Sequence, residues 1–123
     1  MEIDKNNKAI NRILKGANKG LAALSPDYQF IDFNTLKLTV KYSGSVAIFN
    51  ITRNDLKNIK KITKIVADKY RNVFNIKYDV LEKAAYTIKL SKQYFEAIDS
   101  LISKYDKTKT INKIKDDFIS YCV

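Results

Sequence analysis

Residues 36–66, LKLTVKYSGSVAIFNITRNDLKNIKKITKIV, limit the folds open to this chain more than any other stretch. Leu38, Val40 and Tyr42 alternate with Lys37, Thr39 and Lys41, the period-two pattern of a strand with one face buried. Ser43-Gly44 suits a two-residue hairpin turn. Ala47, Phe49 and Ile51 then alternate with Ile48 and Asn50, and Thr52 stands where a helix N-cap is expected. Leu56, Ile59, Ile62, Thr63 and Val66 recur at helical spacing, with Lys57, Lys60, Lys61 and Lys64 on the wet side. The unit reads as ββα.

Residues 73–105 carry a weak second copy. Phe74, Ile76 and Tyr78 match Leu38, Val40 and Tyr42, while Ile88, Leu90, Phe95 and Ile98 match Phe49, Ile51, Leu56 and Ile59. Leu81, Ala84, Ala85 and Ile88 satisfy a helical template equally well, and spacing alone leaves 81–90 open between strand and helix. The internal repeat favours a strand, with Ser91 capping the next helix. Before the repeats, 4–24 reads as an amphipathic helix on Ile10, Ile13, Leu14, Ala17, Leu21 and Leu24, stopped by Ser25-Pro26. A last helix is expected over 110–121. The expected fold is α+β in a single domain spanning 1–123. Its order is α-ββ-α-ββ-α-α, with pseudo-repeats at about 36–70 and 73–105. The strands form an antiparallel sheet whose helices pack on one face.

Gly16, Gly20 and Ala23 form a strip of small side chains along the first helix. Glycine inside a helix costs about 1 kcal/mol relative to alanine. Close approach of a second helix would compensate, and fraying near Pro26 is the alternative.

The formal net charge is +10, from 23 Lys and Arg against 13 Asp and Glu. Such a domain attracts polyanions, nucleic acid foremost. The outward positions of the expected sheet are Lys37, Thr39, Lys41, Asn50, Asn75, Lys77, Thr87 and Lys89, with no acid among them. Lysine can neutralise phosphate while Asn and Thr reach base edges or backbone, and a β-ribbon fits the major groove of B-DNA. These eight residues are the candidate nucleic-acid surface, and duplex DNA is the expected partner. A solvated wet face is the plain alternative.

With no histidine, a Ser-His-Asp triad and the common zinc clusters are excluded. Neither GxxxxGK[ST] nor GxGxxG occurs. Cys122 has no partner base and reads as a structural thiol. No apolar run reaches the ~20 residues of a membrane helix, and the start lacks the apolar core of a signal peptide. The expectation is a soluble, cytoplasmic protein with no membrane partner and no cofactor.

The element order αββαββα and the segments FNITRNDLKNIKKI and KYDKTKTINKIKDDFISYC resemble the LAGLIDADG homing-endonuclease family. GLAALSPDYQF, Gly20 to Phe30, is similar to that family's namesake motif, with Leu21, Ala22, Leu24 and Phe30 matching. The resemblance implies that Asp27 takes the place of the metal-binding catalytic acid, serving Mg²⁺-dependent cleavage of DNA. It also implies a homodimer whose interface runs through Gly16, Gly20 and Ala23. Pro26 and Tyr28 depart from the motif where two carboxylates must converge on metal. What the resemblance then implies is a DNA-binding relative without cleavage, with Asp27 a turn residue. A small phage or mobile-element inhibitor or regulator docking on another protein is the competing expectation.

Overall fold

The computed structural model describes the backbone from Glu2 to Val123 and side chains from Lys8 onward. The elements are α1 (Glu2–Leu24), β1 (Tyr28–Asp32), β2 (Thr35–Tyr42), β3 (Ser45–Thr52), α2 (Ile59–Phe74), α3 (Val80–Ser103) and α4 (Ile111–Cys122). A 3-10 turn, Asp55–Lys57, leads into α2. The protein is α+β, with an antiparallel sheet in the order β1-β2-β3.

The alternation in β2 and β3 does what period-two patterning requires. Leu36, Leu38, Ala47, Phe49 and Ile51 are buried, joined by Tyr28 and Phe30 from β1. α3 lies under β1, where Phe30 meets Phe95 edge-on at 5.4 Å between ring centroids and Tyr28 meets Tyr94 at 5.2 Å. α2 lies under β3, with Phe49 and Tyr70 at 5.0 Å. Ser43 and Gly44 both adopt positive φ, 50° and 82°, the pair a type I′ hairpin turn needs. Thr52 ends β3 in a reciprocal cap: its Oγ1 accepts from the Asp55 amide at 3.1 Å, and Asp55 Oδ2 accepts from the Thr52 amide at 2.9 Å. α2 itself starts two residues past the cap's acid-bearing turn, where Asn58 accepts from the Lys61 amide.

The second hairpin does not form. α2 continues to Phe74 and closes on Asn75 in the left-handed conformation. Residues 80–103 are then one helix. Val80, Ala84, Thr87, Ile88, Ser91, Tyr94, Phe95, Ala97, Ile98 and Leu101 are its buried positions, a helical period held over six turns with no Gly or Pro inside. The second pair of strands expected from the repeat, including the strand favoured within 81–90, is therefore corrected to helix and linker.

The glycine strip did signal a close helix contact, but the partner helix belongs to the same chain. A Cβ on Gly16 would lie 2.3 Å from Ile114 Cγ2, and one on Gly20 would lie 2.8 Å from Phe118 Cδ1. Both glycines are buried beneath α4, so they are closed to a second copy, while Ala23 is exposed. The expected dimer interface through Gly16, Gly20 and Ala23 is thus replaced by the α1–α4 seam.

Arg53 ties the end of β3 to α3. Its guanidinium forks onto Asp99 at 2.9 and 3.1 Å, its Nε donates to the Phe33 carbonyl at 2.9 Å, and the plane lies 4.0 Å from the Phe33 ring centroid. Asp99 is half exposed, so solvent screens the ion pair and the stacking and backbone bond dominate. Arg53→Ala should lower unfolding free energy by about 1–2 kcal/mol in urea titration. Arg53→Lys should recover little of it, since an ammonium supplies neither fork nor stacking plane.

Candidate nucleic-acid interface

The face of the sheet turned away from the helices is built by the odd positions of β2 and the even positions of β3. Lys37 stands opposite Asn50, Thr39 opposite Ile48 and Lys41 opposite Val46, while Gln29 of β1 flanks Lys37. Four of the eight expected contact residues, Lys37, Thr39, Lys41 and Asn50, therefore share one surface. None of these side chains makes an ion pair with another described residue; Asp32 of β1, opposite Thr35, is the carboxylate at the end of this face. Three apolar residues interrupt the polarity: Ile31, Val46 and Ile48 are 52%, 54% and 46% exposed.

The sheet's two edges are managed differently. At β1, Asn18 of α1 both donates to the Phe30 carbonyl (3.0 Å) and accepts from the Phe30 amide (2.8 Å), so its side chain takes the place of a neighbouring strand. At β3, Lys69 of α2 donates to the Ile48 carbonyl and lies 5.0 Å from the Phe49 ring centroid. By occupying that carbonyl, the helix covers part of the β3 edge against a further strand.

The other four expected residues leave this face because the second hairpin is absent. Lys89 is exposed on α3. Thr87 is buried on α3, donating to the Lys83 carbonyl at 3.0 Å and accepting from the Tyr70 hydroxyl at 2.9 Å. Asn75 caps α2, and Lys77 lies in the linker between α2 and α3.

Asn75 and Lys77 nevertheless come back beside the hairpin tip. The end of β2, the last turn of α2, the 75–79 linker and the first turns of α3 enclose two adjoining pockets of about 240 and 340 Å³. Tyr42, Phe74, Ile76 and Lys83 line both. Phe74 is buried and braced by Tyr42 at 5.8 Å and Tyr70 at 6.1 Å. Left-handed Asn75 and Asp79 (φ 54° and 58°) bracket the linker and set Ile76, Lys77 and Tyr78 between the helices. Lys77 and Lys83 supply the charge, and no acid is among the lining residues. The expected second hairpin leaves no such groove, because the groove forms only when 80–103 is a helix and 75–79 a linker. The pair Asn75 and Asp79, types that tolerate positive φ, was the available signal for a linker there.

Asp27 is exposed in the turn between α1 and β1, and its carbonyl accepts from the Thr39 amide at 2.9 Å. No group of three or more His, Cys, Asp or Glu side chains able to hold a metal occurs among the described residues. Cys122 is half-buried, and burial pushes its thiol pKa up to about 11. Burial likewise raises the Tyr28 and Tyr94 hydroxyls above their ordinary range. A further lysine-lined pocket of about 400 Å³ lies between α3 and α4, but its Asp117 carboxylate binds Lys109 at 3.0 Å and Lys113 at 3.2 Å. Hydrogen bonds from those two lysines hold Asp117 below the usual carboxylate range and occupy much of the pocket's charge. No helix among the described residues is long and apolar enough to cross a membrane.

No protein-family profile, no curated protein and no solved structure matches the chain. The fold and the surface define its class: an α+β protein whose three-stranded sheet has one uncovered, lysine-bearing face.

Proposed function

We propose that the chain is a small basic DNA-binding protein that engages duplex DNA through the uncovered face of its sheet. The observation carrying this reading is the shared surface of Lys37, Thr39, Lys41 and Asn50, with Asp32 the one carboxylate at its β1 end among the described residues, in a chain of net charge +10. Lys37 and Lys41 neutralise phosphates, while Thr39 and Asn50 offer hydrogen-bonding groups to the DNA between them. Neutralised phosphates release counterions, so affinity falls steeply as salt rises. In a salt series on generic duplex DNA, Lys37→Ala/Lys41→Ala should flatten the log–log slope by roughly two, about one per lysine. An affinity indifferent to salt, or an unchanged slope in the double variant, rejects the reading.

Ile31, Val46 and Ile48 support a second reading, in which the same face docks on another protein as a small inhibitor or regulator. Apolar residues on both edge strands, flanking Lys37 and Lys41 on the central one, suit an acidic protein surface with apolar contacts around it. A partner that co-purifies stoichiometrically, with negligible DNA affinity of the isolated chain, would favour it over DNA binding.

A further inference from the structure

We propose that the groove at the hairpin tip binds single-stranded nucleic acid, stacking bases on Tyr42, Tyr78 and Tyr86 while Lys77 and Lys83 neutralise the strand's phosphates. The inference rests on the nucleic-acid reading above and adds a second site with a different ligand form. Its starting point is where the chain exposes aromatic rings. Tyr42, Tyr78 and Tyr86 are 50%, 83% and 62% exposed; Tyr42 borders both pockets, Tyr86 the smaller and Tyr78 the larger. They come from a strand, a linker and a helix, so no single amphipathic period accounts for their gathering. Clustered exposed apolar groups mark interaction sites, whereas scattered ones need no explanation.

The chemistry of the groove selects the ligand. Its walls are aromatic faces, its rim carries two ammonium groups, and its lining holds no carboxylate. Asp79 and Glu82 neighbour it in sequence without lining it. Planar π systems joined by negative charge satisfy both features at once. In duplex DNA the base faces are already stacked on one another, whereas a single strand offers them freely. The pockets' volumes, about 240 and 340 Å³, lie at the low end of small-ligand sites and suit individual bases, not a double helix. The groove floor is firm: buried Phe74 and the Tyr70–Thr87 hydrogen bond hold α2 against α3 beneath it.

The test is fluorescence anisotropy with labelled oligothymidylate and with duplex DNA of equal length. The unaltered chain is compared with Tyr78→Ala, Tyr86→Ala and Tyr78→Phe, each checked for an unchanged melting temperature. Oligothymidylate should bind, and each alanine variant should weaken it on the order of tenfold, the loss of one stacked base. Tyr78→Phe should retain affinity, because the ring and not the hydroxyl does the stacking. Alanine variants that bind oligothymidylate as the unaltered chain does, or a phenylalanine variant as weak as alanine, would overturn the inference. Salt-dependent duplex binding in that case would leave the sheet-face reading standing; failure to bind either nucleic acid would sink both.

Discussion

Gly16→Ala should destabilise the protein by about 2 kcal/mol, despite placing a better helix former in α1. Alanine's intrinsic preference over glycine is worth about 1 kcal/mol in the favourable direction. Against it, the new Cβ would lie 2.3 Å from Ile114 Cγ2, 2.6 Å from Ile114 Cβ and 3.1 Å from the Lys115 backbone nitrogen. A Cβ and a main-chain nitrogen cannot swing aside as a side-chain tip can, so α4 must move bodily away from α1. That movement loosens Ile114 and Phe118, which are 2% and 0% exposed. Overpacking of this kind costs about 1–3 kcal/mol and occasionally more, so the net effect is a loss. Thermal unfolding should show a fall of roughly 8 °C, at about 4 °C per kcal/mol for a chain of this size. Ile114→Ala would remove only the Cγ2 contact and leave its Cβ in place, so the double variant should be less stable than either single one, but by less than the sum of the two losses. Gly20→Ala should shift stability the same way by less, because its nearest atom is a ring carbon of Phe118 at 2.8 Å. A Gly16→Ala protein of normal stability but altered oligomeric state would mean that the strip faces another chain after all.

The contrast between the two halves shows what local pattern can and cannot decide. From Leu36 to Ile51, alternation, β-branched residues and the Ser43-Gly44 turn all agree, and the strands formed as read. Lys37, Thr39, Lys41 and Asn50 followed, because period two puts them opposite the buried set. From Val73 to Leu90, two templates fit the same residues, and the loose repeat favours strand where the chain is helix and linker. Two polar residues misled in particular. Ser91 reads as an N-cap, yet in mid-helix its hydroxyl donates to the Thr87 carbonyl at 2.7 Å. Thr87 reads as an outward strand residue, yet it is satisfied by the Lys83 carbonyl in the same way. Such i−4 bonds let Ser and Thr sit inside a buried helix face, and composition alone does not reveal them. The buried helical stripe is clear only when 80–103 is taken as one window. The tyrosine groove depends on tertiary placement of a strand end, a linker and a helix start, so only Asn75 and Asp79 hinted at it.

Ala85→Pro separates the helix from the expected strand, and its effect should be the larger of the two. Ala85 is exposed on α3, so the substitution meets no core packing of its own. Within a helix, proline removes one hydrogen bond and presses its ring on the preceding turn, costing about 3 kcal/mol or more. Against a typical total stability of about 5–15 kcal/mol, that loss should appear as a melting temperature lower by roughly 12 °C. Ala85→Gly, which keeps the amide donor, should cost only about 1 kcal/mol. Were Ala85 the first residue of an edge strand, proline there would be tolerated and the two variants would change places. The site of the kink also matters for function. It falls between Val80 and Tyr86, so the wall of the groove that carries Lys83 and Tyr86 should shift with the first turns of α3. The β2–β3 face is held by its own ladder from Thr35–Thr52 to Tyr42–Ser45 and should keep its geometry in whatever fraction stays folded. Folded Ala85→Pro protein should therefore lose oligothymidylate affinity while duplex binding keeps its salt slope, a split that a single shared surface would not produce.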